Sequence, residues 1–241
     1  MVHIDVSLII TGSCAGKPIA ILGPVSSAQY FAEDPSVSSD PSEIELTLPD
    51  LSATLTVDRG VFSTQRVDAG SKLLLLEAAQ APEGATTLLD LGCGYGPIAV
   101  ALAHRHPEAH VWAVDVNARA RALTQHNVNA LGFGDRCTVA APDDVPSDVR
   151  FDYIASNPPI RVGKAVLHTI LERWLSALNP DGVADLVVQK HLGSDSLARW
   201  MTSKGWTTER TMSRAGYRIL RVTAATAAST EPPADPTPTP A

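Results

Sequence analysis

No stretch of this 241-residue chain reaches the roughly eighteen consecutive apolar residues that a membrane-spanning helix needs, so a soluble protein is expected. Cysteine is scarce. Cys14, Cys93 and Cys137 are odd in number, far apart and include no C-x-x-C pair, which argues against a disulfide framework and against a zinc site. No metal is expected, and a reducing, cytoplasmic setting fits. Positive charge is also short: the formal net charge is −7, which argues against a nucleic-acid binder when the chain is taken whole. No internal repeat is present. With 44% hydrophobic residues the chain can bury one sizeable core.

The charge is unevenly spread. Residues 1–149 carry a net of −10, residues 150–222 a net of +5, and Glu231 and Asp235 add −2. The basic second half is where a polyanion could dock. The same count also fits scattered, solvated lysines and arginines.

Residues 1–42 read as a poorly defined leader. TGSC ending at Cys14 has the look of a lipoprotein cleavage site, but no Lys or Arg precedes it and the apolar core is short. GSCAGKP at Gly12–Pro18 imitates a phosphate loop with one residue too few between its glycines, and Pro18 stands where magnesium would need Ser or Thr. Residues 43–223 form the expected domain. EIELTL and LSATLTV alternate around Pro49-Asp50, which predicts a β-hairpin, and Asp68 is placed to cap a leucine-rich helix over residues 69–79. Strands and helices then alternate: strands at 86–91, 110–114, 137–141, 151–156 and 183–189, helices at 97–105, 118–131, 164–178 and 194–204, and a closing pair of strands at 207–213 and 217–223. That order predicts an α/β fold, a doubly wound, mostly parallel seven-stranded sheet with a small N-terminal hairpin extension. Residues 224–241, rich in Ala, Thr and Pro, read as a disordered tail.

The informative stretch is LLDLGCGYGP at Leu88–Pro97. A buried strand running into a glycine turn and a helix holds a nucleotide-like ligand against bare backbone. Gly92, Cys93, Gly94 and Gly96 form the turn, but no third glycine stands at dinucleotide spacing. Asp90 sits before the turn, where it can accept from a cationic amine. Asp115, followed by Val116, ends the next strand and can take two ribose hydroxyls, and Asp143 could meet an adenine edge. An amine-bearing cofactor with ribose and adenine and no pyrophosphate is S-adenosylmethionine (AdoMet). The fourth strand delivers Asn157-Pro158-Pro159-Ile160. The Asn157 side-chain oxygen and the Pro158 carbonyl can accept both hydrogens of a planar NH₂ group, the prolines leaving nearby carbonyls without competing donors, and Ile160 supplies an apolar platform. Arg161, Lys164 and His168 follow directly and would line a substrate mouth, by phosphate contact or merely as helix-surface charge. His104, His106, His110 and His126 show no metal-ligand spacing and read as solvent-facing.

Taken together, GVFS, VDAGSKLLLL, LLDLGCGYGPIAVALA, AVDVNARA, FDYIASNPPI and GYRILRV resemble the class I methyltransferases of the small-domain type, a family that includes the bacterial enzymes methylating guanine N2 in small-subunit ribosomal RNA. The resemblance spans residues 43–222. It implies that Gly92, Gly94, Asp115 and Asp143 bind cofactor and that residues 157–160 receive the amine, and it adds Phe62, Ser63 and Gly70 as the segment closing over the methionine end. RNA, as small-subunit rRNA or a ribosomal particle, is the implied partner. Two features depart from the family: Ile160 stands where many members carry an aromatic, and the 241 residues do not include the degenerate second domain that some ribosomal members place in front. A protein glutamine side-chain amide is also a flat NH₂, and a cofactor-binding protein without turnover is a further alternative.

Overall fold

Residues 37–61, 63 and 65–224 are described in the computed structural model. The leader up to residue 36, Cys14 and the phosphate-loop imitation within it, Phe62, and residues 225–241 lie outside the described residues.

The alternating segment forms β1 (Ser42–Thr47) and β2 (Ser52–Val57), antiparallel with Ile44 opposite Leu55. Ile44, Leu46, Leu55 and Val57 turn inward and join one core, while Glu45 and Thr54 face water and bond each other at 2.8 Å. An isolated two-stranded ribbon is marginal in water, so the hairpin persists because that face is docked. Its edge is clamped by Asn127, whose Oδ1 accepts from Thr56 N (2.8 Å) while Nδ2 donates to Thr56 O (2.9 Å). Ser39 and Asp40, which the sequence assigns to the leader, both donate to the buried Asp58 carboxylate.

Helix α1 (Ala69–Glu77) begins at Asp68, whose Oδ2 accepts from Gly70 N and Ser71 N at 2.8 and 3.1 Å. It stops two residues earlier than its composition suggests, just before Ala79 takes a positive φ of 47°. The alternating part then runs β3 (Thr87–Leu91), α2 (Pro97–Arg105), β4 (His110–Val114), α3 (Ala118–Ala130), β5 (Cys137–Ala140), β6 (Phe151–Ser156), α4 (Lys164–Leu175), β7 (Leu178–Gln189), α5 (Ser194–Ser203), β8 (Thr207–Arg214) and β9 (Tyr217–Thr223). The sheet has the order β5-β4-β3-β6-β7-β9-β8, parallel except for β9, which is antiparallel to both its neighbours. The doubly wound seven-stranded sheet with its separate hairpin is the architecture expected.

The parallel strands are apolar on both sides because both faces are covered. Leu88 enters the core shared with α1, α2, α3 and the hairpin, whereas Leu89 and Leu91 enter the core beneath α4 and α5. Each fully buried leucine contributes about 1.5–3 kcal/mol relative to exposure. The helix expected over residues 164–178 ends at Leu175, and the strand expected from residue 183 already begins at Leu178: Asn179-Pro180-Asp181-Gly182 form a bulge inside β7, where Phe151 pairs with Leu178 and Tyr153 with Val183. A Cβ on Gly182 would lie 2.7 Å from Phe151 O, so close strand approach selects glycine there.

β3 lies between β4 and β6, so the chain winds away from it in both directions. The carboxyl ends of β3 and β6 therefore border the crevice where ligands bind in open α/β sheets. No helix among the described residues is long and apolar enough to cross a membrane.

Candidate cofactor and amine site

After Leu91, Gly92, Gly94 and Gly96 take φ of 76°, 60° and 89°, the left-handed region that glycine enters without strain. Their surroundings differ. A Cβ on Gly92 would meet nothing within 4 Å, and one on Gly94 only Val61 Cγ1 at 4.0 Å, so the turn presents bare backbone to open space. On Gly96 a Cβ would lie 2.9 Å from Thr124 Cγ2, so that glycine instead lets α2 start against α3.

Asp90 is fully buried. Its Oδ2 accepts from Ala99 N in the first turn of α2 (2.8 Å), while Oδ1 is buried with no partner among the described residues. Burial raises its carboxyl to about 8, against the lowering effect of the Ala99 bond. Asp115 accepts from Gly94 N (3.0 Å) through Oδ2 and from Asn117 N (2.9 Å) through Oδ1. Burial raises this carboxyl too, and the two N–H donors oppose the rise. Each of its oxygens keeps lone-pair capacity for a ligand hydroxyl. Val116 beside it is an exposed apolar side chain, 42% accessible.

Two residues assigned to the cofactor are placed differently. The Cys93 side chain is buried and receives the Thr124 hydroxyl at 3.4 Å, so it packs α3 onto the turn instead of facing the open side. Asp143 is carried outward by a short turn at Pro142–Asp144, and its side chain, 92% exposed, pairs with Arg173 of α4 at 2.6 Å.

β6 delivers Asn157 to the same crevice. Its Nδ2 donates to Asp68 Oδ2 (2.8 Å) and Ser71 Oγ (3.0 Å). A carboxylate only accepts, so Asp68 orients the amide with its NH₂ inward and leaves Oδ1 with no donor among the described residues. The expectation of carbonyls free of competition is corrected by the prolines' own turn. Pro159 adopts φ −74°, ψ 71°, and Ile160 N donates to Pro158 O at 2.8 Å, an inverse γ-turn; Val162 N then donates to Pro159 O at 3.1 Å. Pro158 O keeps one lone pair for a ligand. Asp68 and Ser71 were not singled out as site residues, and no local signal marks them, because Asn157 lies 89 residues beyond Asp68.

Gly70 is required by packing: a Cβ there would lie 2.9 Å from both Asp68 Oδ2 and Tyr217 Cε1. Ser63 holds a positive φ of 64° and donates to Arg66 O at 2.5 Å. Ile160, Lys164 and His168 line one cavity of about 190 Å³ that opens where the Asn-Pro-Pro-Ile turn ends, and Arg161 is exposed beside them. Of the four histidines expected to face solvent, three are engaged: His104 with Asp50 O (2.9 Å), His110 with Thr138 Oγ1 (2.8 Å), and His106, whose Nε2 accepts from Ala81 N (3.2 Å). His126 is exposed. Among the described residues no group of three or more His, Cys, Asp or Glu side chains is placed to hold a metal ion.

Residues 52–221 match the family described as methyltransferase small domain. The chain belongs to that family. Among curated relatives, the uncharacterized protein YbxB of Bacillus subtilis (strain 168) is 34% identical over 197 residues, covering 81% of this chain and 98% of that one. Ribosomal RNA small subunit methyltransferase C of Shewanella halifaxensis (strain HAW-EB4) is 34% identical over 174 residues, covering 70% of this chain and 50% of that protein. The solved T. thermophilus 16S rRNA N2 G1207 methyltransferase (RsmC), in complex with AdoMet and guanosine, superposes with a TM-score of 0.62 at 25% identity, covering 79% of this chain and 52% of that chain. The chain thus spans about half the length of the relatives named as ribosomal RNA methyltransferases.

Membership makes AdoMet the cofactor and the chain an AdoMet-dependent methyltransferase, and the residues fit that group. The unpartnered Asp90 Oδ1 suits the cationic amino-acid end. The bare backbone at Gly92 and Gly94 admits close approach, and the Asp115 carboxylate suits vicinal hydroxyls.

Proposed function

We propose that the protein methylates a planar exocyclic amine, guanine N2 in ribosomal RNA, in the cytoplasm. The observation that carries this reading is the orientation of Asn157, whose NH₂ is held by Asp68 and Ser71 so that Oδ1 is open at the crevice. An exocyclic amine offers two in-plane hydrogens, and Asn157 Oδ1 with the remaining lone pair of Pro158 O supplies two acceptors. Bound AdoMet supplies an electrophilic methyl group. Accepting both N–H groups withdraws neither proton but aims the nitrogen lone pair and stabilises the positive charge that grows on nitrogen, so the protein's contribution is orientation and electrostatics. Ile160 is half-buried at the same turn and offers the flat group an apolar face.

RNA is favoured as the bearer of the amine by the names of the two ribosomal relatives and by the cations around the crevice. Arg66, Lys72, Arg161, Lys164 and Lys190 make no ion pair or side-chain hydrogen bond among the described residues, whereas Arg105, Arg173, Arg214 and Arg221 are paired with acids. Unpaired cations remain available to phosphates.

Tritiated AdoMet incubated with the protein and with ribosomal subunits and RNA from a strain lacking the gene tests the reading. Label in guanine N2 of ribosomal RNA is expected. Label in a protease-sensitive, nuclease-resistant fraction would replace the nucleobase with a protein amide, and AdoMet binding without transfer to any fraction would overturn turnover itself.

A further inference from the structure

The cavity beyond the Asn-Pro-Pro-Ile turn is larger than a single amine requires. Ile160, Lys164, Leu167 and His168 form one wall, and Val188, Leu192 and Ser196 the other. At about 190 Å³ it is smaller than the roughly 300–1,000 Å³ of sites for drug-sized ligands, a size suited to one flat ring system and not to a whole nucleotide. His168 stacks on Trp200 of α5 with ring centroids 3.8 Å apart and planes 12° apart, which fixes the imidazole. Its Nε2 is buried behind the wall with no partner among the described residues, so the cavity surface itself is mostly apolar. Burial lowers the pKa of this histidine, followed by the charge of Lys164, which favours the neutral ring with one donor and one acceptor nitrogen. Leu192, 38% exposed, leaves apolar surface at the rim, and the unpaired Arg161, Lys164 and Lys190 stand beside it in the chain.

Resting on the RNA reading above, we infer that this cavity seats a second nucleobase, that of a nucleotide adjoining the methylated guanine, with Ile160 and Leu192 against its faces. A strand whose target base enters the amine site must pass its neighbour over this opening, because Ile160 borders both. The free cations then meet the intervening phosphates, and the apolar walls accept any base by stacking.

The test uses the full chain with AdoMet bound and a single-stranded RNA tetranucleotide carrying one guanine, with 4-thiouridine next to it for photocrosslinking. Leu192→Asp sets a carboxylate against the base and its phosphates at an exposed position; Ser196→Leu fills the cavity. Both are expected to weaken tetranucleotide binding about tenfold with AdoMet affinity unchanged, and the crosslink is expected on the peptide carrying Leu192. Lys164→Met, an exposed substitution, serves if either variant fails to fold, and is expected to lower RNA affinity and the crosslink yield together. Wild-type binding of the RNA that both variants retain in full, with the crosslink elsewhere, overturns the subsite and leaves the RNA reading intact. Absence of any wild-type RNA binding overturns the RNA reading and this inference with it.

Discussion

Asn157 donates through Nδ2 to Asp68 Oδ2 at 2.8 Å, and that same oxygen accepts the first N–H groups of α1. One carboxylate oxygen therefore couples the start of a helix to the side chain that faces the methyl acceptor. Burial and then the charge of Asp68 hold the hydroxyl of the buried Tyr95 well above its usual pKa, so a neutral phenol completes the surroundings.

Asp68→Asn keeps an N-cap of comparable quality but loses the anionic acceptor that orients Asn157. Turnover is expected to fall about tenfold with thermal stability nearly unchanged, whereas Asp68→Ala is expected to lose a further ~1 kcal/mol of stability with its cap. Steady-state kinetics beside thermal unfolding checks the split. Equal turnover in the wild type and the Asn variant would show that the pair orients nothing.

Asn157→Ala and Asp115→Ala separate the two halves of the crevice. The first is expected to reduce kcat by about a hundredfold or more at unchanged AdoMet affinity, and the second to weaken AdoMet by roughly tenfold or more through lost hydroxyl contacts. Calorimetric titration with AdoMet and single-turnover methyl transfer read the two quantities independently.

Asp90 gives the cofactor-free protein a pH dependence with a definite sign. Its carboxyl rises from 3.8 to about 8 on folding, so between those values the folded state holds a proton that the unfolded state has released. The stabilisation is complete below about pH 4 and is lost as pH climbs towards 8, at up to about 1.4 kcal/mol per pH unit. Asp90→Asn removes this pH dependence. Urea denaturation of the two proteins at pH 5 and pH 8 should therefore show a steeper loss in the wild type; parallel slopes would mean that Asp90 is already ionised in the fold.

Asp185, on the inner strand β7, is fully buried. It accepts from Tyr153 Oη (2.8 Å) and, at 2.9 and 2.8 Å, from both Nε and Nη2 of Arg221, its register partner on β9. Asp185→Ala strands a guanidinium and a phenol at once, and a loss of about 3 kcal/mol is expected from equilibrium unfolding. Arg221→Ala, whose side chain is 41% exposed, leaves the buried acid with only Tyr153 and is expected to cost less than about 3 kcal/mol, because water can reach the vacated side.

The backbone path was legible in sequence because its signals are local. Period-two alternation over residues 43–57 set the hairpin and its inward face, and the strand-helix alternation from Thr87 onward dictated a doubly wound sheet. Gly92 and Gly94 marked where backbone had to stay bare, and Asn157-Pro158-Pro159-Ile160 marked the second edge of the crevice. Side-chain direction was decided by tertiary packing. Asp143 follows β5 as an adenine ligand would, yet a short turn and Arg173 carry it to solvent, and Asn179–Gly182 has the residues of a helix stop but is a bulge in β7. The Asp68–Asn157 bond, the Asn127 clamp on β2 and the stack of His168 on Trp200 join residues 89, 71 and 32 positions apart. Propensity and periodicity act over a few neighbouring residues, whereas the partner of a polar group is set by whichever strand or helix the fold brings beside it.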